Sequence, residues 1–276
     1  MSESTEEPGG PEAPSPAGIY DYLLGGDAST AADREVARRI IAALPVIPQI
    51  AWANRGFLMR AVTWMAQEHG IRQFIDIGAG FPVQRPTHEV ARMVAPECRV
   101  LYTDNDSAAV ARGRRILSGV PGTGVIQADI RQPGELFGHP ETRRLIDPSL
   151  PSGLLVVAVT QFVSDEDDPW SLVAQHMAPL APGSCLALSG PTADHKVESQ
   201  VDRVVSEYAH TSARVNRTRT KAEIERFFSG LEFAAPYEGA EPGVTFVGLW
   251  GCDDPEAADD DASRWFYAGV AAKPGT

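Results

Sequence analysis

The stretch that decides the fold is Gln73-Phe-Ile-Asp-Ile-Gly-Ala-Gly80. Gln73–Ile77 is a short apolar run that reads as a buried strand, and it enters a turn carrying two glycines. Downstream, strand and helix patterns alternate. Thr87–Val94 reads as a helix and Arg99–Thr103 as a strand, then a helix runs through Leu117, and Gly124–Ala128 is a third strand. Leu154–Thr160 (LLVVAVT) is an unbroken apolar run, the mark of a central parallel strand covered on both faces. Asp168-Pro169 is an N-cap followed by Pro at the first helical position. Cys185–Ser189 is a fifth strand, and Leu231–Tyr237 and Trp265–Ala271 are the last two. Between them lie an amphipathic helix through Val197, Val201, Val204 and Tyr208, and a short helix opened by the capping box Thr220–Glu223. This alternation predicts a doubly wound, Rossmann-like α/β sheet of seven strands.

Upstream of the deciding stretch the pattern is helical. Val36, Ile40 and Leu44 share one face, Pro45 and Pro48 break the run, and a second helix runs from about Gln49 to His69-Gly70. Residues 1–17 are rich in Pro and Gly and read as a disordered arm. The expected organisation is therefore an arm over 1–17, a helical cap over 18–70 and a core domain over 71–276.

The glycine turn narrows the ligand. A dinucleotide fingerprint would need Gly at position 83, which is Val83, so an NAD-type oxidoreductase is disfavoured. An acid two residues before the first glycine, Asp76-Ile-Gly78-Ala79-Gly80, is instead the usual S-adenosylmethionine turn of class I methyltransferases. Glycines there let the backbone approach a ligand. Two glycines can also serve helix packing alone, but two more acids support the functional reading. Asp104, followed by Asn105, ends the second strand, where a carboxylate can accept both ribose hydroxyls. Asp129, followed by Ile130, ends the third, where one can accept from the adenine amino group. Each is also a common residue at a helix N-cap or turn.

The chain resembles the S-adenosyl methyltransferase family of GC-rich Gram-positive bacteria, formerly a domain of unknown function. The resemblance is carried by Tyr20-Asp-Tyr-Leu-Leu-Gly-Gly26, Ala31-Ala-Asp-Arg-Glu35, Ala53-Asn-Arg55, Phe57-Leu58, Ile71–Gly78, His88-Glu-Val90, Tyr102-Thr-Asp-Asn-Asp106, Ala128-Asp129 and Asp168-Pro169. It covers about residue 18 to the C-terminus. It implies a class I methyltransferase fold with the last strand antiparallel, S-adenosylmethionine as cofactor, and a helical cap near that cofactor. Tyr20, Tyr22, Gly26 and Arg55 in the cap, and Thr160 after strand four, join the expected cofactor site. Asp27-Ala-Ser-Thr30 and Phe81–Pro86 depart from the family pattern beside the site. The resemblance therefore implies no particular acceptor.

Methyl transfer from a sulfonium is an in-line displacement with a good leaving group, so alignment and a dry site matter most. No catalytic residue is fixed by the sequence; His195, Gln161 and Tyr22 are candidates to face the acceptor. Thr160-Gln-Phe162 stands where amino-directed DNA methyltransferases carry Asn/Asp-Pro-Pro-aromatic, and no Pro-Cys pair occurs. A small-molecule acceptor is expected, with nucleic acid excluded. The alternative is a regulatory or scaffold protein that binds the cofactor without turnover.

Composition adds limits. The chain has 276 residues, 37 Asp+Glu against 24 Lys+Arg, and a net charge of −13. Fourteen of those acids fall in three base-free segments, 1–17, 165–168 and 251–261, so the remainder is near neutral. The last two segments suggest a negative rim around the acceptor entrance, and so a cationic acceptor. Arg dominates over Lys, a signature of a GC-rich genome. Three scattered Cys and six scattered His give no disulfide framework and no metal site. No apolar run spans a bilayer and no signal peptide is visible, so a cytoplasmic protein without membrane contact is expected. The oligomeric state is left open.

Overall fold

In the computed structural model, residues 13–213 and 217–275 are described. The expected arm thus lies outside them over 1–12. Its last residues are structured: Ser15 caps helix α1 (Pro16–Leu23) by accepting from the Gly18 N–H. The helical start lies two residues earlier than expected, because Pro16 tolerates the first helical turn.

Helices α2 (Ala31–Ala43) and α3 (Ile47–Glu68) complete the cap. Pro48 does not break α3 but sits in its first turn. Asp33 organises the α1–α2 corner. It closes a capping box with Thr30 and accepts from the Ser15 N–H at 2.8 Å. A Cβ on Gly18 would lie 2.0 Å from the Asp33 carboxylate, so only glycine allows this approach.

The core follows in chain order: β1 (Gln73–Ile77), α4 (Thr87–Val94), β2 (Arg99–Asp104), α5 (Ser107–Ile116), β3 (Thr123–Gln127), α6 (Pro133–Gly138), α7 (Pro140–Leu145), β4 (Gly153–Val157), α8 (Pro169–Met177), β5 (Cys185–Pro191), α9 (Glu198–Tyr208), α10 (Lys221–Glu225), β6 (Glu232–Phe233), β7 (Thr245–Phe246), α11 (Pro255–Ala258) and β8 (Phe266–Ala272). The strand order is β3-β2-β1-β4-β5-β8-β6, with β7 also beside β8. The first five strands are parallel, and β8 runs antiparallel to β5 and β6. The doubly wound sheet with an antiparallel last strand is therefore present. It gains the two-residue strand β7, which is too short to leave a periodic signal.

Strand ends also move. The apolar run 154–160 ends as a strand at Val157, because Ala158 turns into the left-handed region at φ 56°. The run 231–237 pairs only at Glu232–Phe233; Pro236 has no N–H to extend a ladder.

The sheet is covered on both faces, which explains the continuous burial of β1, β4 and β5. Alternation sorts the side chains. Phe74, Leu155, Ala187 and Val270 face α3 through Phe57, Ala61 and Met65. Ile75, Leu154 and Leu186 face Val173, Met177 and Phe228 on the other side. Their burial supplies the main drive for folding, about 25 cal/mol per Å² of apolar surface. Among the described residues, no single helix is long and apolar enough to cross a membrane.

Candidate functional site

Beta1 and β4 are neighbours, and their helices leave to opposite sides. This is the switch point of the sheet, where a crevice opens beyond the strand ends. The cap roofs that crevice, leaving a cavity of about 670 Å³, within the usual range for small-ligand sites.

The glycine turn forms its floor. Gly78 and Gly80 both have left-handed φ, at 63° and 60°. A Cβ at Gly78 would come within 2.7 Å of the Val159 side chain, and one at Gly80 within 3.2 Å of the Ala17 Cβ. The glycines are thus needed for packing between the turn, the β4 end and α1. Past the turn, Gln84 and Arg85 hold left-handed φ without being glycine, a strained arrangement that its surroundings must enforce. Arg55 does so. Its guanidinium reaches down from α3 and donates to the carbonyls of Val83, Gln84 and Arg85 at 3.0, 3.1 and 2.9 Å. Arg55 therefore grips the loop after the turn through its carbonyls.

Three carboxylates stand on the rim. Asp76 is buried and accepts from the Thr87 hydroxyl at 2.6 Å. Burial raises its pKa from 3.8 to about 6, although Thr87 and the Arg55 charge oppose the shift. Asp104 accepts from the Gly80 N–H at 2.9 Å and the Asp106 N–H at 3.0 Å, tying β2 to the turn. Burial raises its pKa as well. Asp129 is half-buried and engaged by Arg131, with Nε at 2.9 Å and Nη2 at 2.5 Å. Burial pushes its pKa up, but hydrogen bonds from Arg131 prevail and hold it below the ordinary value.

The roof carries a hydrogen-bond chain between cap and sheet. Ser189, near the end of β5, donates to Asn54 Oδ1 at 2.6 Å. Asn54 donates to the Tyr20 hydroxyl at 3.0 Å, which donates to the Ala51 carbonyl at 3.1 Å. The Ala158 N–H, at the bend after β4, donates to Ser189 Oγ at 3.2 Å. One chain thus fixes α1, α3 and the end of β4 around the cavity.

Asp76, Gly78, Ala79, Gly80, Asp104, Asn105, Asp129, Ile130, Tyr20, Arg55 and Gln161 all line the cavity. The other expected residues are elsewhere. Tyr22 lies on the other side of α1, beside Arg38 at 6.0 Å and the cap core. Gly26 lies behind the wall, where its missing Cβ makes room for Asp21. Thr160 is fully buried and its hydroxyl faces Gly190. His195 is exposed in the β5–α9 connection, away from the cavity.

Sequence reasoning passed over Asp21. It is 2% exposed and lines the cavity; Oδ2 accepts from the Ser29 N–H at 2.9 Å, while Oδ1 has no partner. Burial raises its pKa. The available signal was the pair Gly25-Gly26 four residues on, a place cleared for a side chain that must turn inward.

The acidic segments do not form the expected rim. Asp165 pairs with the buried Arg219 at 2.7 Å, and Asp168 caps α8. In the loop before β8, Asp254 caps α11, Asp259 pairs with Arg264 at 2.7 Å, and Asp260 accepts from the Ser263 N–H. Of these segments only Asp167 reaches the cavity lining.

The cavity suits S-adenosylmethionine. Its floor is a backbone turn with carboxylates at the ends of successive strands. The sequence profile of the S-adenosyl methyltransferase family matches residues 6–274. The chain is similar to a DUF574 family protein from Streptomyces avermitilis MA-4680. The two share 39% identity over 95% of this chain and 98% of that one, with a TM-score of 0.85. A candidate methyltransferase from Thermobifida fusca YX is 34% identical over 95% and 96%, also with a TM-score of 0.85. The plantazolicin methyltransferase BpumL, solved with S-adenosylhomocysteine and a triazolic desmethylPZN analog, shares the fold at 11% identity and a TM-score of 0.52, over 94% of this chain and 96% of its own. No curated protein matches the chain. With the family profile matching residues 6–274 and its fold shared at more than a third identity, the chain belongs to the S-adenosyl methyltransferase family and is an S-adenosylmethionine-dependent methyltransferase.

Proposed function

We propose that the enzyme methylates a small molecule enclosed between the cap and the carboxyl ends of β1 and β4. The observation that carries this reading is the roof. Helices α1 and α3 stand over the glycine turn and leave a cavity of about 670 Å³ beneath them, a size suited to a small ligand. A shaped space beside the turn also favours turnover over a purely regulatory role.

When bound, S-adenosylmethionine supplies an electrophilic methyl group on a sulfonium. In this reading Asp104 accepts from the ribose hydroxyls, keeping one lone pair on each oxygen beyond its bonds to Gly80 and Asp106. Asp129, Ile130 and Asn105 border the adenine. The backbone of Gly78 to Gly80 runs beneath the cofactor, and Asp76 holds its ammonium. Tyr20 and Asn54 are spent on one another, so they position and exclude water. Alignment in a dry site supplies the rate, since the sulfonium is already a good leaving group.

The test is to incubate the enzyme with methyl-labelled S-adenosylmethionine and a lysate split by ultrafiltration into small molecules and macromolecules. Label entering the small-molecule fraction is expected. Label entering only protein or nucleic acid would overturn the proposal.

A further inference from the structure

Behind the adenine end of the cavity lies a buried side chain that is not part of the lining, His176 in the last turn of α8. We propose that His176 is a positioning residue: it fixes the turn after β3 so that Asp129 and Ile130 select adenine over other bases. This rests on the cofactor placement above and assigns the base selectivity of that same site.

His176 is 1% exposed. Its neighbours on α8, Val173 and Met177, share one apolar core with Leu136 and Ile130, and its ring lies 6.1 Å from that of Phe137. Nε2 stands 2.9 Å from the Ile130 carbonyl. A carbonyl can only accept, so Nε2 carries the proton and Nδ1 is left as a bare acceptor. Nδ1 is buried and has no partner among the described residues. Burial lowers the pKa of the ring against the pull of the Ile130 hydrogen bond, so the ring stays neutral. A leucine in this place would bury no unpaired nitrogen. The histidine carries that cost, and the bond to Ile130 is what it gives in return.

That bond acts on the cavity wall. Ile130 lines the cavity directly after Asp129. The Asp129 side chain accepts from the Arg131 N–H at 2.9 Å, and its carbonyl accepts from the Gln132 N–H at 2.9 Å. The Ala128 N–H donates to the Asp104 carbonyl at 3.0 Å. These bonds tie the turn to itself and to β2, and His176 ties it to α8 behind. Adenine presents an amino donor where hypoxanthine presents a carbonyl. A carboxylate held at that edge accepts from the first and meets the lone pairs of the second. Discrimination therefore depends on how firmly the turn is held.

The experiment is titration calorimetry of the full chain with S-adenosylhomocysteine and S-inosylhomocysteine. Wild type is expected to prefer the adenosyl compound by at least about tenfold. His176→Leu and His176→Asn should each cut that preference at least about threefold, chiefly by weakening S-adenosylhomocysteine. The Asn amide stops near the Nδ1 position, whereas the amide nitrogen of His176→Gln reaches the Nε2 position and should keep the preference. Three results would each overturn the inference: an unchanged preference in the Leu and Asn variants, an equal loss of both ligands with the preference intact, or a Gln variant no better than the Asn one. A wild type that binds the two ligands equally would overturn the adenine placement, and the inference with it. Failure of S-adenosylhomocysteine to bind wild type would overturn the cofactor placement itself.

Discussion

Asp76→Asn should stabilise the cofactor-free enzyme while weakening cofactor binding. Asn keeps the size of the side chain and an oxygen to accept from Thr87, so the 2.6 Å bond survives. What disappears is a charge whose burial lifts the pKa from 3.8 to about 6. At 1.36 kcal/mol per pKa unit, holding that charge in the fold costs about 3 kcal/mol above pH 6. The pH window follows from the direction of the shift. Folded protein holds the Asp76 proton more tightly than unfolded chain, so stability falls as pH rises from about 4 to about 6 and then levels off. The variant should therefore gain about 3 kcal/mol at pH 7.5, about half of that at pH 5, and nothing below pH 4. For a chain of this size the full gain is roughly 5 °C in melting temperature. Scanning calorimetry of wild type and variant at the three pH values measures it. The same variant should lose affinity for S-adenosylhomocysteine, by the roughly 1.5–3 kcal/mol typical of a hydrogen bond to a charged group. A cofactor-free variant no more stable than wild type at pH 7.5, or one with unchanged affinity, would refute the reasoning.

Other consequences are more local. Gly78→Ala should lower the melting temperature even without cofactor, because its Cβ would meet Val159 at 2.7 Å on a left-handed backbone; circular dichroism melting without ligand checks it, and an unchanged melt would mean the glycine serves the ligand alone. Asp165→Asn should cost about 1 kcal/mol in urea unfolding, since half-exposed Asp165 partners the buried Arg219. Asp167→Asn should leave stability unchanged, and comparing the two midpoints separates a paired acid from a free one. Ser189→Ala should lower kcat more than it raises the KM for cofactor, because Ser189 links Asn54 to the bend at Ala158; a raised KM with kcat unchanged would mean that the link only helps binding.

The parts of this site legible in the sequence were those whose signal is local. An apolar strand followed by an acid and two glycines announced Asp76 to Gly80, and acids at the next strand ends announced Asp104 and Asp129. Side-chain direction was less legible. Tyr20 and Tyr22 look equivalent in the sequence, yet two positions on a helix point about 200° apart, so only Tyr20 reaches the cavity. Arg55 offered a charge but no hint of partners, because the carbonyls it grips depend on left-handed φ at Gln84 and Arg85. His195 drew attention because it follows the fifth strand, but a turn after β5 carries it into solvent. The acidic segments misled for the same reason. Charge counts do not show which acids are already paired, and Asp165 and Asp259 find arginines far away in sequence or folded back onto the loop.

The central claim is that this chain binds S-adenosylmethionine at the end of β1 with Asp104 as a direct ligand. Titration calorimetry of wild type and Asp104→Ala with S-adenosylmethionine, S-adenosylhomocysteine and NAD tests it most directly. The account predicts that both adenosyl compounds bind one per chain, that NAD does not, and that Asp104→Ala weakens both by roughly 1–3 kcal/mol. Binding of NAD in their place, or unchanged adenosyl affinity in Asp104→Ala, would contradict it.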